Sequence, residues 1–321
     1  MTVAVSAPAS EPRRRHRRRL ARGAAAALIV LALWMAVSCL VAYRLTRRWH
    51  ARLDEPAPSA PWGTIEGLRL GTSDGQDIGA WFVDGREPAS ASVVVIHGNK
   101  GNRGKSLKRA AFLAADGLAV LMITLRAHGD SSGEINDFGL SARRDVIAAV
   151  EYLERRRPGR PIVILGTSLG SAAAAFASGE LDRRVSGYIL ESPFSDLKTA
   201  VWNRTHTYLP SILAPLAYAG MRAVGPLFVP ELDRISPLSA VRGVPASIPV
   251  LLLAGALDTL ATPAEARAFL RAVDGHGELI VFPDAHHNNL YDSASATYER
   301  AVLGFCRKLS AGITSRNDSL P

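Results

Sequence analysis

Residues 166–170, Gly-Thr-Ser-Leu-Gly, have the residue types and spacing needed for covalent chemistry. They follow the apolar, β-branched run 162–165, which predicts a strand buried on both faces, and precede an alanine-rich run that predicts a helix. A sharp strand-to-helix turn of this kind exposes the serine hydroxyl at the end of a sheet. The pattern favours Ser168 as a nucleophile, the alternative being an ordinary serine in a glycine-rich turn.

A serine hydroxyl is a weak nucleophile at neutral pH, so this chemistry also needs a base and an orienting acid. Asp258 follows the apolar run 249–254 and precedes a predicted helix, which puts its carboxylate at the same sheet edge as Ser168. Capping that helix is the alternative task, but Thr262 is better placed for it. Glu191 and Asp196, which follow the preceding predicted strand, are the alternative acids.

The base is expected after the acid in the chain, beyond the last predicted strand. His286 and His287 both satisfy this order, whereas His276 precedes that strand and would lie at the opposite edge. A solvent-exposed loop histidine is the other interpretation of either residue. The residues alone do not choose between the two.

An oxyanion formed on the substrate needs two backbone N–H donors. Leu169, directly after the nucleophile, is expected to supply one, because it begins the predicted helix. Asn99, in the loop after the third predicted strand, is expected to supply the other. His97 in the same loop is expected to be structural. Lys100 and Lys105 do not form a phosphate-binding loop, since the full pattern Gly-x-x-x-x-Gly-Lys-Ser/Thr is absent.

Eight short apolar runs alternate with helical stretches from Thr64 onward, which predicts an α/β fold with a mostly parallel sheet covered on both faces. The predicted strands are 65–70, 78–83, 93–96, 119–125, 162–165, 185–190, 249–254 and 278–282. The predicted helices include 103–115, 140–157, 263–273 and 294–309. Residues 192–247 interrupt this alternation with prolines and short apolar segments. Such an insertion favours a small helical cap over a site, with ordinary surface helices as the alternative.

Positive charge is confined to the N-terminal part of the 321-residue chain. Residues 1–52 hold 11 of the 38 Lys and Arg residues and one of the 29 acidic residues, which leaves 27 basic against 28 acidic residues beyond them. The net charge of +9 therefore gives no support for nucleic-acid binding by the main domain. Two distant cysteines, Cys39 and Cys306, suggest neither a disulfide framework nor a metal site. No metal or other cofactor is expected.

Residues 24–43 are an uncharged apolar run that would span about 30 Å as a helix, the thickness of a bilayer's hydrocarbon core. Tyr43 and Trp49 stand at its far end, where aromatic rings prefer the membrane interface. Seven arginines precede the run and four follow it, which favours a cytoplasmic N-terminus and an extracytoplasmic main domain. A cleaved signal peptide, with 36–38 as its cleavage site, is the alternative, and lipoprotein processing at Cys39 a weaker one. The length of the run favours an uncleaved anchor.

The predicted organisation is then a basic cytoplasmic tail (1–23), a transmembrane anchor (24–43), a linker (44–63) with a proline-rich spacer, an α/β domain (64–310) and a C-terminal tail (311–321).

Residues 64–310 resemble the α/β-hydrolase superfamily. Four ordered signals carry the resemblance: His-Gly-Asn-Lys-Gly-Asn at 97–102, the Arg-x-x-Gly-x-Ser-x-Gly loop at 126–133, the motif around Ser168, and Asp258 followed by His287-Asn288. The sequence is most similar to a membrane-anchored esterase/thioesterase-like branch, whose members are often described as serine aminopeptidase-like or lysophospholipase-like. That branch has a small residue before its catalytic histidine, so the resemblance implies His287 as the base, with His286 in the place of the small residue.

The combined prediction is a serine hydrolase of the α/β-hydrolase fold, acting on small acyl esters or thioesters through Ser168, His287 and Asp258. Membrane attachment and an apolar cap favour a lipid-like acyl substrate. A peptidase, an acyltransferase and a catalytically silent membrane-tethered binding scaffold are the alternatives. The acyl chain, the leaving group and the oligomeric state do not follow from the sequence.

Overall fold

The computed structural model describes residues 11–48, 50–86 and 91–317, and its centre is one eight-stranded sheet. The strands are β1 (Glu66–Gly71), β2 (Asp77–Val83), β3 (Ser92–Ile96), β4 (Ala119–Ile123), β5 (Ile162–Thr167), β6 (Gly187–Glu191), β7 (Val250–Gly255) and β8 (Gly277–Phe282). Their order across the sheet is β1-β2-β4-β3-β5-β6-β7-β8. β2 pairs antiparallel with β1 and β4, and all the remaining pairs are parallel. The predicted mostly parallel, eight-stranded sheet is confirmed.

Helices cover both faces of this sheet. The helices are α1 (Glu11–Thr46), α2 (Leu107–Ala115), α3 (Arg143–Arg156), α4 (Leu169–Leu181), α5 (Leu197–Tyr208), α6 (Ala214–Phe228), α7 (Pro237–Ala240), α8 (Pro263–Ala272), α9 (Leu290–Ser293) and α10 (Ser295–Asn317). Apolar side chains of α3, α4 and α8 pack in the core on one face, and those of α2 and α10 pack in the core on the other.

Side chains along β3 point alternately to the two faces of the sheet, and this explains why the sequence of the strand is continuously apolar. Val93 and Val95 point into one core, whereas Val94 and Ile96 point into the other. All five residues of β3 are buried. A strand between two helical layers has no face for a polar side chain, so the apolar run of residues 93–96 follows from the layering.

Two elements, β4 and α10, end at residues other than those predicted from the sequence. β4 ends at Ile123 rather than at residue 125, since Leu125 donates its backbone N–H to Nε2 of the His97 ring at 3.0 Å. α10 continues to Asn317, so the predicted C-terminal tail begins inside this helix. Residues 1–10 and 318–321 of the two predicted tails, and Trp49 at the predicted membrane interface, lie outside the described residues.

α1 contains the predicted anchor, and its segment 15–46 is long and apolar enough to cross a membrane. One side of its C-terminal half packs against α6, where Ser38, Ala42 and Thr46 are buried. These three residues recur every fourth position and form a narrow stripe of small side chains.

The segment after α1, predicted as a spacer, lies against the α/β domain. The Arg48 guanidinium donates to the carbonyl oxygens of Gly129, Ser131 and Gly133. The Glu55 carboxylate accepts from Asn102 Nδ2 at 2.9 Å and pairs with Arg103 at 2.9 Å. A proline-rich composition predicts a stiff segment, but these contacts fix where it lies.

The insertion between β6 and β7 forms α5, α6 and α7, here called the insertion helices. α5 follows Asp196, whose side chain accepts from the Thr199 N–H at the helix start. α6 lies between α5 and α1, because it contacts both helices. The insertion therefore joins the first helix of the chain to the sheet edge where β5 and β7 end.

Candidate active site

Ser168 stands at the turn between β5 and α4 with φ 50° and ψ −102°, a conformation that non-glycine residues rarely adopt. The glycines on either side make the turn possible. A Cβ on Gly166 would lie 2.4 Å from the Gly170 backbone, and one on Gly170 would lie 2.6 Å from the Ile96 carbonyl oxygen. The strained turn directs the Ser168 hydroxyl out of the sheet, as the sequence motif predicts.

The structure brings Ser168, His287 and Asp258 together. His287 Nε2 lies 3.0 Å from Ser168 Oγ, and His287 Nδ1 lies 2.8 Å from Asp258 Oδ2. All three residues are buried. With the proton on Nδ1, the imidazole donates to the carboxylate and offers its Nε2 lone pair to the hydroxyl, so it can remove the hydroxyl proton.

Two backbone N–H groups fix the Asp258 carboxylate. Its Oδ1 accepts from Leu260 at 2.8 Å and from Ala261 at 2.9 Å. Burial by itself would raise the pKa of Asp258, but the hydrogen bonds from His287 and from these two N–H groups keep it below its ordinary value. The carboxylate is therefore ionised at neutral pH. Thr262, not Asp258, caps α8.

The alternative residues named from the sequence make other contacts. The His286 side chain is exposed, and its Nδ1 lies 3.1 Å from the Leu257 carbonyl oxygen. Glu191 is buried in an ion pair with Arg109, and Asp196 caps α5. Of the two adjacent histidines, His287 is the one whose ring meets Ser168.

The loop after β3 lies beside the nucleophile. A Cβ on Gly98 would lie 3.7 Å from Ser168 Cβ, so the backbone just before Asn99 passes close to the serine. Asn99 Oδ1 accepts from Asn136 Nδ2 and from the Lys100 backbone N–H, both at 3.0 Å. Leu169 is the first residue of α4. The two predicted oxyanion donors thus belong to segments that flank Ser168.

His97 anchors the start of this loop as a neutral ring. Its Nδ1 donates to the Gly98 carbonyl oxygen at 2.7 Å, and its Nε2 accepts from the Leu125 N–H. Burial lowers the pKa of His97 to about 3. Its predicted structural role agrees with these contacts.

Two cavities flank the His287 imidazole, and each also contacts Asn288. One, of about 510 Å³, is lined by polar and cationic residues that include Lys100, Lys105 and Arg109. The other, of about 360 Å³, has Tyr208, Leu257 and Leu260 in its wall, together with polar residues: Thr207, Thr259, His286, His287, Asn288 and Asn289. We call them the cationic cavity and the Tyr208 cavity. A substrate bound across Ser168 could place chemically different groups in the two.

Several residues of this region had no signal in the sequence. Asn136 holds the Asn99 side chain, and Arg109 forms a buried cluster with Glu191 and Tyr298 at the wall of the cationic cavity. Asparagine and arginine are common in loops and on helices, and nothing in their local spacing distinguishes them. Tyr208 is one of the aromatic residues of the predicted cap, so the composition of residues 192–247 indicated its presence near the site in part.

Known proteins are similar to this chain in sequence and in fold. A family model described as serine aminopeptidase, S33, matches residues 87–234, a segment that includes Ser168 and ends before Asp258 and His287. An uncharacterised protein of Mycobacterium tuberculosis strain H37Rv is 28% identical over 239 residues, which cover 73% of this chain and 77% of that protein.

Lysophosphatidylserine lipase ABHD12 of Mus musculus is 25% identical over 190 residues, covering 55% of this chain and 47% of the lipase. The match thus spans about half of the lipase's length. Among solved structures, the Pyrococcus furiosus esterase Pf2001 superposes with a TM-score of 0.65 at 22% identity, covering 81% of this chain and 98% of the esterase. An acylaminoacyl peptidase of Pyrococcus horikoshii gives 0.58 at 16% identity, covering 76% of this chain and 41% of the peptidase.

The sheet order, the turn at Ser168 and these matches lead to one conclusion. The chain has the α/β-hydrolase fold, and its sequence is similar to members of the α/β-hydrolase superfamily.

Proposed function

We propose that this protein is a membrane-anchored serine hydrolase that cleaves acyl esters or thioesters through an acyl-enzyme. The observation that carries the proposal is the pair of contacts made by one imidazole, 3.0 Å to Ser168 Oγ and 2.8 Å to Asp258 Oδ2. The α/β-hydrolase fold and the similarity to an esterase and a lipase support the same reaction class.

The reaction follows from these contacts. His287 Nε2 removes the Ser168 proton while the serine oxygen attacks the acyl carbon, and the N–H groups of Leu169 and Asn99 receive the oxyanion. His287 then protonates the leaving oxygen or sulfur, and the acyl group remains on Ser168. His287 then removes a proton from water, the resulting hydroxide attacks the acyl carbon, and His287 returns that proton to Ser168 Oγ as the carboxylic acid leaves. Asp258 holds the imidazole in the required tautomer throughout.

The two cavities favour a substrate with one apolar acyl chain and one polar, anionic leaving group. In the Tyr208 cavity the apolar groups that can contact the chain are Tyr208, Leu257 and Leu260, and the cationic cavity has Lys100 and Lys105 in its wall for the leaving group. The relatives include enzymes called lysophosphatidylserine lipases, whose name indicates a single-chain lipid with an anionic head. A lysophospholipid-like ester is therefore the proposed substrate class.

The adjacent histidines give a sharp test of the chemistry. A fluorophosphonate probe is expected to label the wild-type chain and the His286→Ala variant, but neither Ser168→Ala nor His287→Ala. Undiminished labelling of Ser168→Ala, or equal loss in the two histidine variants, would contradict the proposal. Thermal unfolding of each variant separates loss of labelling from loss of fold.

A peptidase is the second candidate, because the matching family model is described as a serine aminopeptidase. The two reactions are separated by comparing aminoacyl p-nitroanilides with p-nitrophenyl esters and long-chain acyl thioesters on the same preparation. Turnover of esters with no release of amino acids supports the esterase proposal, and the opposite result supports the peptidase. A preparation that the probe does not label would favour the silent scaffold.

We also propose that α1 is an uncleaved anchor with the N-terminus in the cytoplasm. The arginine excess before the apolar run supports this orientation. The stripe of Ser38, Ala42 and Thr46 against α6 supports retention of the helix, because cleavage near residue 38 would remove part of that contact. Protease protection of the α/β domain in right-side-out vesicles would contradict the orientation.

A further inference from the structure

The loop and helix that follow α5 form an apolar hairpin tip without charge. Residues 205–221 contain no Lys, Arg, Asp or Glu. Four aliphatic side chains in this segment face outward: Leu209 is 38% exposed, Ile212 77%, Leu213 49% and Leu216 56%. We call residues 208–216 the hairpin tip. Contiguous exposed aliphatic groups of this kind normally mark a surface that meets a partner or a membrane.

Contacts between α1 and α6 fix the level of the tip along the anchor. Trp34 Nε1 donates to the Leu216 carbonyl oxygen at 3.2 Å, and a Cβ on Gly220 would lie 2.2 Å from Ser38 Oγ. Both contacts join residues 182 positions apart, so the two helices run side by side in the same direction with one register. Further along, Tyr43 meets Phe228, with ring centroids 6.3 Å apart.

This register places Leu216 at a depth that can be worked out. Trp34 lies nine residues before Tyr43, the last residue of the uncharged run, which is about 14 Å along a helix. The hydrocarbon core of a bilayer is about 30 Å thick. If residues 24–43 cross the core, the Leu216 carbonyl lies about halfway through it.

We infer that the hairpin tip is inserted into the hydrocarbon of the membrane that α1 spans, beside the anchor. The exposed aliphatic residues of the tip continue the apolar surface of α1, where Leu33, Val37 and Leu40 are also exposed. The insertion of the tip rests on the proposed anchor role of α1 and does not depend on the proposed acyl chemistry, whereas the route for substrate described next rests on the proposed function.

The location of the tip defines how substrate reaches the site. Tyr208 belongs both to the tip and to the wall of the Tyr208 cavity, together with Leu257, which is 48% exposed. Because His287 lines the same cavity, an acyl chain that leaves the membrane at the tip can reach the imidazole along Tyr208 and Leu257. The preferred substrates are therefore long-chain acyl esters already dissolved in the membrane, and the polar leaving group lies toward the cationic cavity.

Fluorescence quenching in vesicles tests the insertion directly. The full chain carries Cys39→Ser, and Cys306 is buried with its thiol pKa raised by burial to about 12, so an added cysteine is the reactive one. An NBD label is attached at Ile212→Cys in the tip, at Leu33→Cys in the anchor, and at Arg155→Cys on the exposed side of α3. The proteins are reconstituted into phosphatidylcholine–phosphatidylglycerol vesicles with or without a 12-doxyl lipid.

We expect the labels at residues 33 and 212 to show blue-shifted emission and strong quenching by the doxyl lipid, and the label at residue 155 to show neither. A label at residue 212 that behaves like the one at residue 155 would overturn the inference. So would quenching at residue 212 by a headgroup spin label alone, since that result places the tip at the surface rather than in the hydrocarbon.

Activity provides a second, separate readout. The Ile212→Asp/Leu213→Asp variant is expected to lose at least about tenfold in turnover of a long-chain ester held in vesicles, because two carboxylates in hydrocarbon disfavour insertion. Its turnover of soluble p-nitrophenyl acetate should equal that of wild type, and Arg155→Asp is the matched surface control. Unchanged vesicle turnover would contradict the inference. If wild type hydrolyses neither ester, the proposed function fails while the quenching test still decides the location of the tip.

Discussion

Replacing Asp258 by Asn changes the tautomer of His287 while it leaves the shape and packing of the site nearly unchanged. The two oxygens of Asp258 have different partners: Oδ1 accepts from the N–H groups of Leu260 and Ala261, and Oδ2 accepts from His287 Nδ1. Asparagine has the same shape but only one acceptor oxygen, beside an NH₂ donor. The two backbone donors require the acceptor, so the amide oxygen remains at the Oδ1 position and the NH₂ group faces the imidazole.

This arrangement favours the other tautomer of His287. His287 Nδ1 must then accept, and the ring proton moves to Nε2, which faces Ser168 Oγ. A protonated Nε2 cannot remove the hydroxyl proton. A wrong tautomer of this kind costs about 10⁴ in rate, or about 5.5 kcal/mol in transition-state stabilisation. Flipping the amide does not restore activity, because it leaves two buried N–H groups opposite an NH₂ donor at about 1–3 kcal/mol each.

The assay compares kcat/KM for a soluble p-nitrophenyl ester and the rate of fluorophosphonate labelling in wild type and Asp258→Asn. Asp196→Asn is the matched control, since Asp196 also accepts from a backbone N–H at the start of a helix but does not contact His287. We expect the control to keep its rate within a few-fold and Asp258→Asn to lose about 10⁴. An Asp258→Asn chain that folds normally and stays within tenfold of wild type would refute this reasoning about the tautomer.

Three further outcomes follow from the described contacts. Because burial lowers the pKa of His97 to about 3, this ring contributes a fall of about 1.4 kcal/mol in the free energy of unfolding between pH 7.5 and 5.5, while Asp145, whose pKa burial raises to about 6, acts in the opposite direction. Urea titrations of wild type and His97→Gln should differ by about 1.4 kcal/mol in their change between these pH values, and an equal change in both would contradict this role of His97. Gly220→Ala should destabilise the folded chain in detergent by about 1 kcal/mol, because the added methyl group overpacks against Ser38, and should lower its thermal midpoint. Gly179→Ala, which has open space around it, should leave the midpoint unchanged. An equal effect of both substitutions would contradict the α1–α6 packing. Glu55→Ala should speed proteolysis of residues 50–61 relative to the exposed-residue control Asp54→Ala, and equal digestion rates would mean that the Glu55 contacts do not hold this segment.

Local signals were sufficient for the sheet and for the strand-to-helix turn at Ser168. A parallel strand between two helical layers must be apolar on both faces, as Val93 and Val94 show, so such strands stand out as continuous runs. Gly166 and Gly170 are required by contacts within a few residues of the turn and by the adjacent β3, so the motif carries its own structural explanation.

The choice between His286 and His287 could not come from the residues themselves. Both have the same side chain, and the loop backbone decides which ring faces Ser168. The His286 N–H donates to Asn289 Oδ1 at 2.6 Å, and its ring lies against the Leu257 carbonyl, which turns His287 inward. Only the resemblance to a family made the distinction in advance.

The N-terminal region depends on contacts far apart in the sequence. Residues 54–61 have the composition of a spacer, and the ion pair of Glu55 with Arg103 has no local signal. The same holds for Trp34 and Leu216, which lie 182 residues apart. Hydropathy predicts that α1 can cross a membrane, but it does not predict which helix packs against it.

These distant contacts connect the anchor to the predicted oxyanion loop through one residue. The Asn136 backbone N–H donates to the carbonyl oxygen of Thr46, the last residue of α1, at 2.9 Å. Its side chain donates to Asn99 Oδ1 at 3.0 Å. Arg48 binds three carbonyl groups of the neighbouring loop, so the end of α1 and that loop are held as one unit. A chain shortened to the α/β domain would lose the partners that hold Asn136, and with them part of the support for Asn99. The end of α1 is therefore part of the architecture that supports the loop containing Asn99.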